Sequence, residues 1–127
     1  MNRHTKRLNE LQTIAMGVQD FPYHRHAAAI YIGNRLVSVG MNQRKTHPLQ
    51  AKFGKNSDAI FLHAEISAIV NALKVVSPDE LQNATLYVAK YSPSGKTMSK
   101  PCKGCQRAIG YFGFKDVHWT EDLTGTK

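Results

Sequence analysis

The chain has 127 residues, 42% of them hydrophobic and two of them cysteine, so it suits one domain whose single core needs no disulfide staples. Its formal net charge of +8 favours polyanionic or phosphorylated partners, although a solvated basic surface would give the same count. No apolar run approaches the ~18 residues of a membrane span, and the polar start Met1-Asn2-Arg3-His4-Thr5-Lys6-Arg7 lacks the apolar core of a secretory signal, so no membrane partner is expected.

In chain order, Leu8, Leu11, Ile14 and Ala15 have helical spacing, which predicts a helix over 6–18 that ends near Gly17. Residues 27–32 and 36–41 are short β-rich runs joined at Gly33-Asn34, a two-residue hairpin signal. A polar loop is expected over 42–58. Ile66, Ile69, Val70 and Leu73 then recur at i, i+3, i+4 and i+7, predicting a helix over 62–76 closed by Ser77-Pro78. A third strand is expected over 84–91. Residues 92–100, rich in Ser, Lys, Pro and Gly, read as a mobile loop. A helix over 103–112 ending at Gly113 and a fourth strand over 116–120 complete the order. Helices that alternate with strands imply an α/β protein, a three-layer α/β/α sandwich with one mixed sheet, and strands three and four would be parallel through a helical crossover. No repeat, linker or low-complexity tract divides the chain, so 1–127 reads as a single domain.

The chemistry is concentrated in two short runs, His63-Ala64-Glu65 and Pro101-Cys102-Lys103-Gly104-Cys105. One imidazole and two thiols are the count an open zinc site requires, because a catalytic zinc keeps three protein ligands and leaves a position for water. Cys102 and Cys105 fall in the first turn of their helix, where unpaired backbone N–H groups and the helix dipole favour thiolate, the form that binds metal. His63 opens the preceding helix in the same way. Glu65, two residues on, is placed to move protons and not to bind the ion. Plainer readings exist. Cys-x-x-Cys alone would fit a redox pair or two buried thiols, and His24, His26, His47 or His118 could close a structural site with a fourth ligand. A closed site leaves Glu65 without a task.

Together the two runs resemble the signature of the zinc-dependent cytidine and deoxycytidylate deaminase superfamily, which also includes tRNA adenosine deaminases and polynucleotide cytosine deaminases. The resemblance covers residues 27–119 and implies the cytidine deaminase-like fold, one Zn2+ per chain and hydrolytic release of ammonia. The favoured reaction is dCMP to dUMP, with Glu65 as proton shuttle and His63, Cys102 and Cys105 as metal ligands. The resemblance further implies that the backbone N–H of Ala64 bonds the carbonyl oxygen of the base and that Asn42 bonds sugar or base, although Asn42 could simply cap its strand. The carbonyls at Ser99 and Lys100 could accept from the amino group. Phe61 is the favoured aromatic for packing on the ring, ahead of Phe53 and Tyr91. Arg44-Lys45-Thr46-His47-Pro48 is the best phosphate-reading run, with Lys45 as a cation and His47 as a cation or stacking ring, but a solvated loop would look the same.

Two departures from the family pattern stand out. Ser92-Pro93-Ser94-Gly95-Lys96-Thr97-Met98 separates the third strand from Pro101-Cys102, a length suited to a lid or a nucleic-acid contact, and the chain ends soon after Trp119, leaving little room for the fifth strand and closing helix expected of the fold. An open edge invites pairing, so a homo-oligomer is expected. Assigning both cysteines to metal points to a reducing compartment, the cytoplasm by default. The expected partner is a cytosine nucleotide or nucleoside. RNA or single-stranded DNA is the second class, since the charge would attract either, and a non-catalytic zinc-bearing binding protein is the third reading.

Overall fold

The computed structural model describes residues 2–17, 25–43, 52, 63–92 and 97–121. Helix α1 (Arg3–Met16) starts earlier than the apolar spacing alone predicts, because the Asn2 side chain accepts the Thr5 N–H at 2.9 Å and caps the first turn. Strands β1 (Arg25–Ile32) and β2 (Arg35–Met41) pair antiparallel across Gly33-Asn34, with Ile32 opposite Arg35. Gly33 has φ 62° and Asn34 does not follow it into positive φ, which is the pattern of a type II′ hairpin turn.

Helix α2 (Ala64–Ala72) is shorter than its apolar pattern suggests. The chain beyond Ala72 leaves the helix in turns, and a 3-10 helix, Pro78–Asn83, follows. That element was not expected, yet Ser77-Pro78-Asp79-Glu80 carries its signal: Ser77 caps it, the Glu80 carboxylate accepts the Ser77 N–H at 3.0 Å, and proline occupies the first turn. Its Leu81 is fully buried. Strand β3 (Ala84–Tyr91) leads by way of residues 97–102 to helix α3 (Lys103–Phe112), which Gly113 ends at φ 72°, and strand β4 (Asp116–Trp119) follows.

The four strands form one mixed sheet in the order β2-β1-β3-β4, with β1 antiparallel to both neighbours and β3 parallel to β4, as a crossover through α3 requires. Alternate side chains divide between two cores, because successive residues of a strand point to opposite faces. Ala27, Ala29, Tyr87 and Ala89 meet Leu11 and Ala15 of α1 on one face. Ala28, Ile30, Leu86 and Val88 meet Ile66, Ala68, Ile69 and Ala72 of α2 and Cys105, Ala108 and Phe112 of α3 on the other. The result is the three-layer α/β/α sandwich, with both motif helices in the same layer. Among the described residues no helix is long and apolar enough to cross a membrane.

The position of α2 is set by close contact with β2. A Cβ added to Gly40 would lie 2.2 Å from the Ala68 nitrogen and 2.7 Å from both the Ala64 oxygen and the Ser67 carbonyl carbon. Those are backbone atoms that no rotamer change can move. Two side chains hold the same contact: Ser38 Oγ donates to the Ala68 carbonyl at 2.8 Å, and Asn71 Nδ2 donates to the Val39 carbonyl at 2.9 Å. Gly40→Ala should therefore destabilise the fold by about 1–3 kcal/mol, the usual range for overpacking, which at this size lowers Tm by roughly 4–12 °C. Calorimetry on zinc-loaded protein checks this; an unchanged Tm would mean that α2 can lift off the strand at no cost.

Candidate metal centre

Two helix starts converge. His63 occupies the extended position just before α2, with φ −77° and ψ 155°, and Cys102 occupies the equivalent position before α3, with φ −67° and ψ 170°. The Cys102 sulfur caps α3 by accepting the Cys105 N–H at 3.5 Å. His63 Nδ1 lies 3.6 Å from Cys102 Sγ and 3.4 Å from Cys105 Sγ, and the three donor atoms are within 4.8 Å of one another. Zn–N and Zn–S bonds of about 2.05 and 2.3 Å meeting at a tetrahedral angle separate nitrogen from sulfur by about 3.6 Å. The donor set and its spacing therefore fit zinc. Among the described residues no fourth ligand joins the group. His118 stacks on Tyr87, on the α1 face of the sheet, and cannot serve as a closing ligand; His24 and His47 lie outside the described residues.

The approach to the cysteines is braced. Ser99 Oγ donates to the Val88 carbonyl at 2.8 Å, Ser99 N–H donates to the Thr120 carbonyl at 3.0 Å, and Gln106 Nε2 holds the Pro101 carbonyl at 2.8 Å. Thr97 Oγ1 donates to the Glu121 carbonyl, and the Thr120 hydroxyl returns a bond to the Thr97 carbonyl. Ser92, Thr97 and Ser99 are all buried, so the expected mobile loop over 92–100 is pinned at both described ends; residues 93–96 lie outside the described residues. The pairing arises because Thr97 and Ser99 lie alongside the chain leaving β4 and satisfy backbone groups that a solvated loop would leave to water.

Charge at the site is uneven. In the metal-free chain, the hydrogen bond from the Cys105 thiol, followed by that from His63, lowers Cys102 to about 3. The same bond to Cys102, then burial, then the adjacent Glu65 push the Cys105 thiol far up. One proton is thus shared across the pair, and a bound dication removes it. Glu65 is only 6% exposed, and burial raises its pKa, against the opposing pull of its own N–H, His63 and the Cys105 thiol. A carboxyl at the start of a helix whose pKa burial raises is suited to exchanging protons.

The other expected site residues are distributed as follows. Ala64 is buried in the first turn of α2, where backbone N–H groups have no partner inside the helix. Asn42 Oδ1 accepts the His26 N–H at 3.0 Å and the Asn42 N–H donates to the His26 carbonyl at 3.3 Å, so this residue does cap the end of the β1–β2 pair. Ser99 spends its hydroxyl and N–H on the brace. Tyr91 packs on the α1 face, away from the cysteines. Phe61, Lys45, His47 and Phe53 lie outside the described residues. Sequence reasoning missed Gly40, Ser38 and Asn71, which place α2; only Gly40 had a signal, as an isolated glycine inside a strand pattern. In zinc-depleted protein, Cys102 should alkylate with iodoacetamide ahead of Cys105, at a rate flat from pH 5 to 8, whereas an ordinary thiol of pKa about 8.5 accelerates about tenfold per pH unit over that range. Equal labelling of both sulfurs, or a rate that climbs with pH, would refute the charge distribution.

The chain's sequence matches the cytidine and deoxycytidylate deaminase zinc-binding region over residues 1–121. No curated protein matches it. Among solved structures it is similar to guanine deaminase from Bacillus subtilis, at 24% identity and a TM-score of 0.63 over 95% of this chain and 65% of that one. It is also similar to dCMP deaminase from the cyanophage S-TIM5, at 18% identity in both forms. The apo form has a TM-score of 0.59 over 98% of this chain and 88% of that one. The complex with dCMP and dUMP has a TM-score of 0.60 over 94% and 82%. At these identities the structures establish a shared fold, and the sequence match spans both motif helices. The chain belongs to the cytidine and deoxycytidylate deaminase family, whose common chemistry is zinc-dependent hydrolytic deamination.

Proposed function

We propose that the protein deaminates a cytosine nucleotide, with dCMP the favoured substrate and dUMP and ammonia the products. The observation that carries this reading is the set of donors His63, Cys102 and Cys105 at zinc spacing, with Glu65 buried beside them. Zinc held by His63, Cys102 and Cys105 would supply a water acidified toward a pKa of ~7. Glu65 would carry one proton of the attacking water to the ring nitrogen next to the amino-bearing carbon. The water oxygen bonds to that carbon. Glu65 would then move the second proton of the water, left on the new hydroxyl, to the departing amine, so that the carbon–nitrogen bond breaks and ammonia leaves with cytosine converted to uracil.

The remaining contacts belong to the same proposal. The Ala64 N–H would bond the base carbonyl, Asn42 the sugar or base, the Ser99 carbonyl the amino group, and Phe61 would pack on the ring. Lys45 and His47 would meet the phosphate. Choosing a free deoxynucleotide is supported by the basic run around Lys45 and by a fold shared along 88% of the length of the cyanophage dCMP deaminase, whereas the guanine deaminase is the longer protein. A second reading, action on RNA or single-stranded DNA, is favoured by the outer edge of α3, where Lys103, Gln106, Arg107 and Tyr111 are exposed in helical register directly after Cys102.

Glu65→Gln should retain one zinc and lose about 10²–10⁴ in kcat, the usual worth of general acid–base help, while Cys105→Ala should lose zinc and thermal stability together. If Glu65→Gln sheds zinc as readily as Cys105→Ala, Glu65 is structural. An ammonia-release screen over cytidine, CMP, dCMP, guanine and oligonucleotides decides the substrate. Turnover of dCMP with KM raised several-fold by Lys45→Ala, and cytidine turnover unmoved, supports the leading reading. Turnover confined to oligonucleotides, with affinity falling steeply as salt rises, would replace it with the second.

A further inference from the structure

On the face of the sheet opposite the cysteines, three more metal-ligating side chains meet. Asp116 and His118 alternate along β4 and so project to the same side, and His4 reaches them from the first turn of α1. Their potential ligand atoms all lie within 4.8 Å of one another. His118 Nε2 is 2.9 Å from Asp116 Oδ2, and the His4 and His118 rings stack at 3.9 Å between centroids with an 18° angle between planes. Beneath them Tyr87, paired with His118 across β3 and β4, is fully buried and places its hydroxyl 2.6 Å from His4 Nδ1, while Arg7 Nη1 donates to the same hydroxyl at 3.0 Å.

We propose that His4, Asp116 and His118 form a second divalent transition-metal site, distinct from the His63–Cys102–Cys105 centre. Two imidazoles and one carboxylate are a donor set for zinc, nickel, copper or iron, and its nitrogen content disfavours magnesium and calcium. The Tyr87 hydroxyl supplies what metal-binding histidines need from their surroundings, a hydrogen bond to the ring nitrogen that does not face the ion. With Nδ1 of His4 so engaged, Nε2 is the nitrogen that binds. Binding an ion would require the stacked imidazoles to turn out of register and any proton on His118 Nε2 to leave it for Nδ1 or water. The site lacks thiolates and has Arg7 as a neighbour, so it holds its ion less tightly than the cysteine centre. A bound ion would tie α1 to β4, which among the described residues is an edge strand paired with β3.

The test uses the full chain carrying one equivalent of zinc, titrated with Ni2+ and separately with Zn2+ by calorimetry, alongside Tm and an ammonia-release assay. The expected result is a second, weaker equivalent of either metal that raises Tm, is lost in His118→Gln and in His4→Gln, and leaves deamination within twofold of the parent in both variants. Retained deamination shows that the variants are folded, and Asp116→Asn replaces any that is not. Saturation at one equivalent in the parent chain, or a second equivalent of undiminished affinity in both histidine variants, would overturn the proposal.

Discussion

Two helices that lie in one layer must begin at the same point in space if an imidazole and two sulfurs are to share an ion, and the contact between β2 and α2 makes this feasible. With any side chain at residue 40, the backbone of α2 near Ala64, Ser67 and Ala68 would be driven off the strand. The absent Cβ lets the helix sit down, and the Ser38 and Asn71 hydrogen bonds then set its height and rotation. Ala28 continues the accommodation in β1 and Ala68 in the helix itself, where larger side chains would widen the layer spacing. His63 is one residue outside this clamped helix, so its imidazole inherits the helix's position.

The cysteine side is held differently. Hydroxyls brace the approach to α3, through Ser99 and Thr120 bonding to backbone groups of β3 and of the chain after β4. The Gln106 amide closes the arrangement on Pro101. The α2 side of the centre thus combines a close backbone contact with two hydrogen bonds, and the α3 side is braced by hydrogen bonds. Both restrain groups that a bare chain would not hold together: two sulfurs whose charges compete for a single proton and a carboxyl whose burial disfavours its anion. A dication relieves all three at once, which couples metal binding to the stability of the fold. The same burial that penalises the Glu65 anion makes the carboxylate a better proton acceptor, and so the strain and the proposed chemistry have one source.

The opposite face uses its residues for packing and a polar cluster. Tyr87 is fully buried on this face, and its hydroxyl is satisfied by His4 and Arg7. Arg7 also lies 3.8 Å from the Tyr31 ring centroid, so the helix that covers this face is tied down by polar and cation–π contacts as well as by Leu11 and Ala15.

How much was legible in the amino-acid order varies with the range of the forces involved. Local signals were sufficient for β3 and α3, whose limits follow from β-rich composition, from the N-terminal Cys102 and from Gly113. They were sufficient for the hairpin too, since Gly33 supplies the positive φ its turn demands. They misled at α2: Val70 and Leu73 extend the apolar period, but Pro78 and the Ser77–Glu80 cap begin a new element soon after Ala72. The donor set was visible because zinc chemistry selects residue types, and those types keep a short spacing within each helix start. What tertiary structure alone decided was which side of the sheet each residue faces and how near the two helix starts approach. Those depend on alternation along paired strands and on one missing Cβ at Gly40, contacts between residues far apart in the chain that no local periodicity encodes.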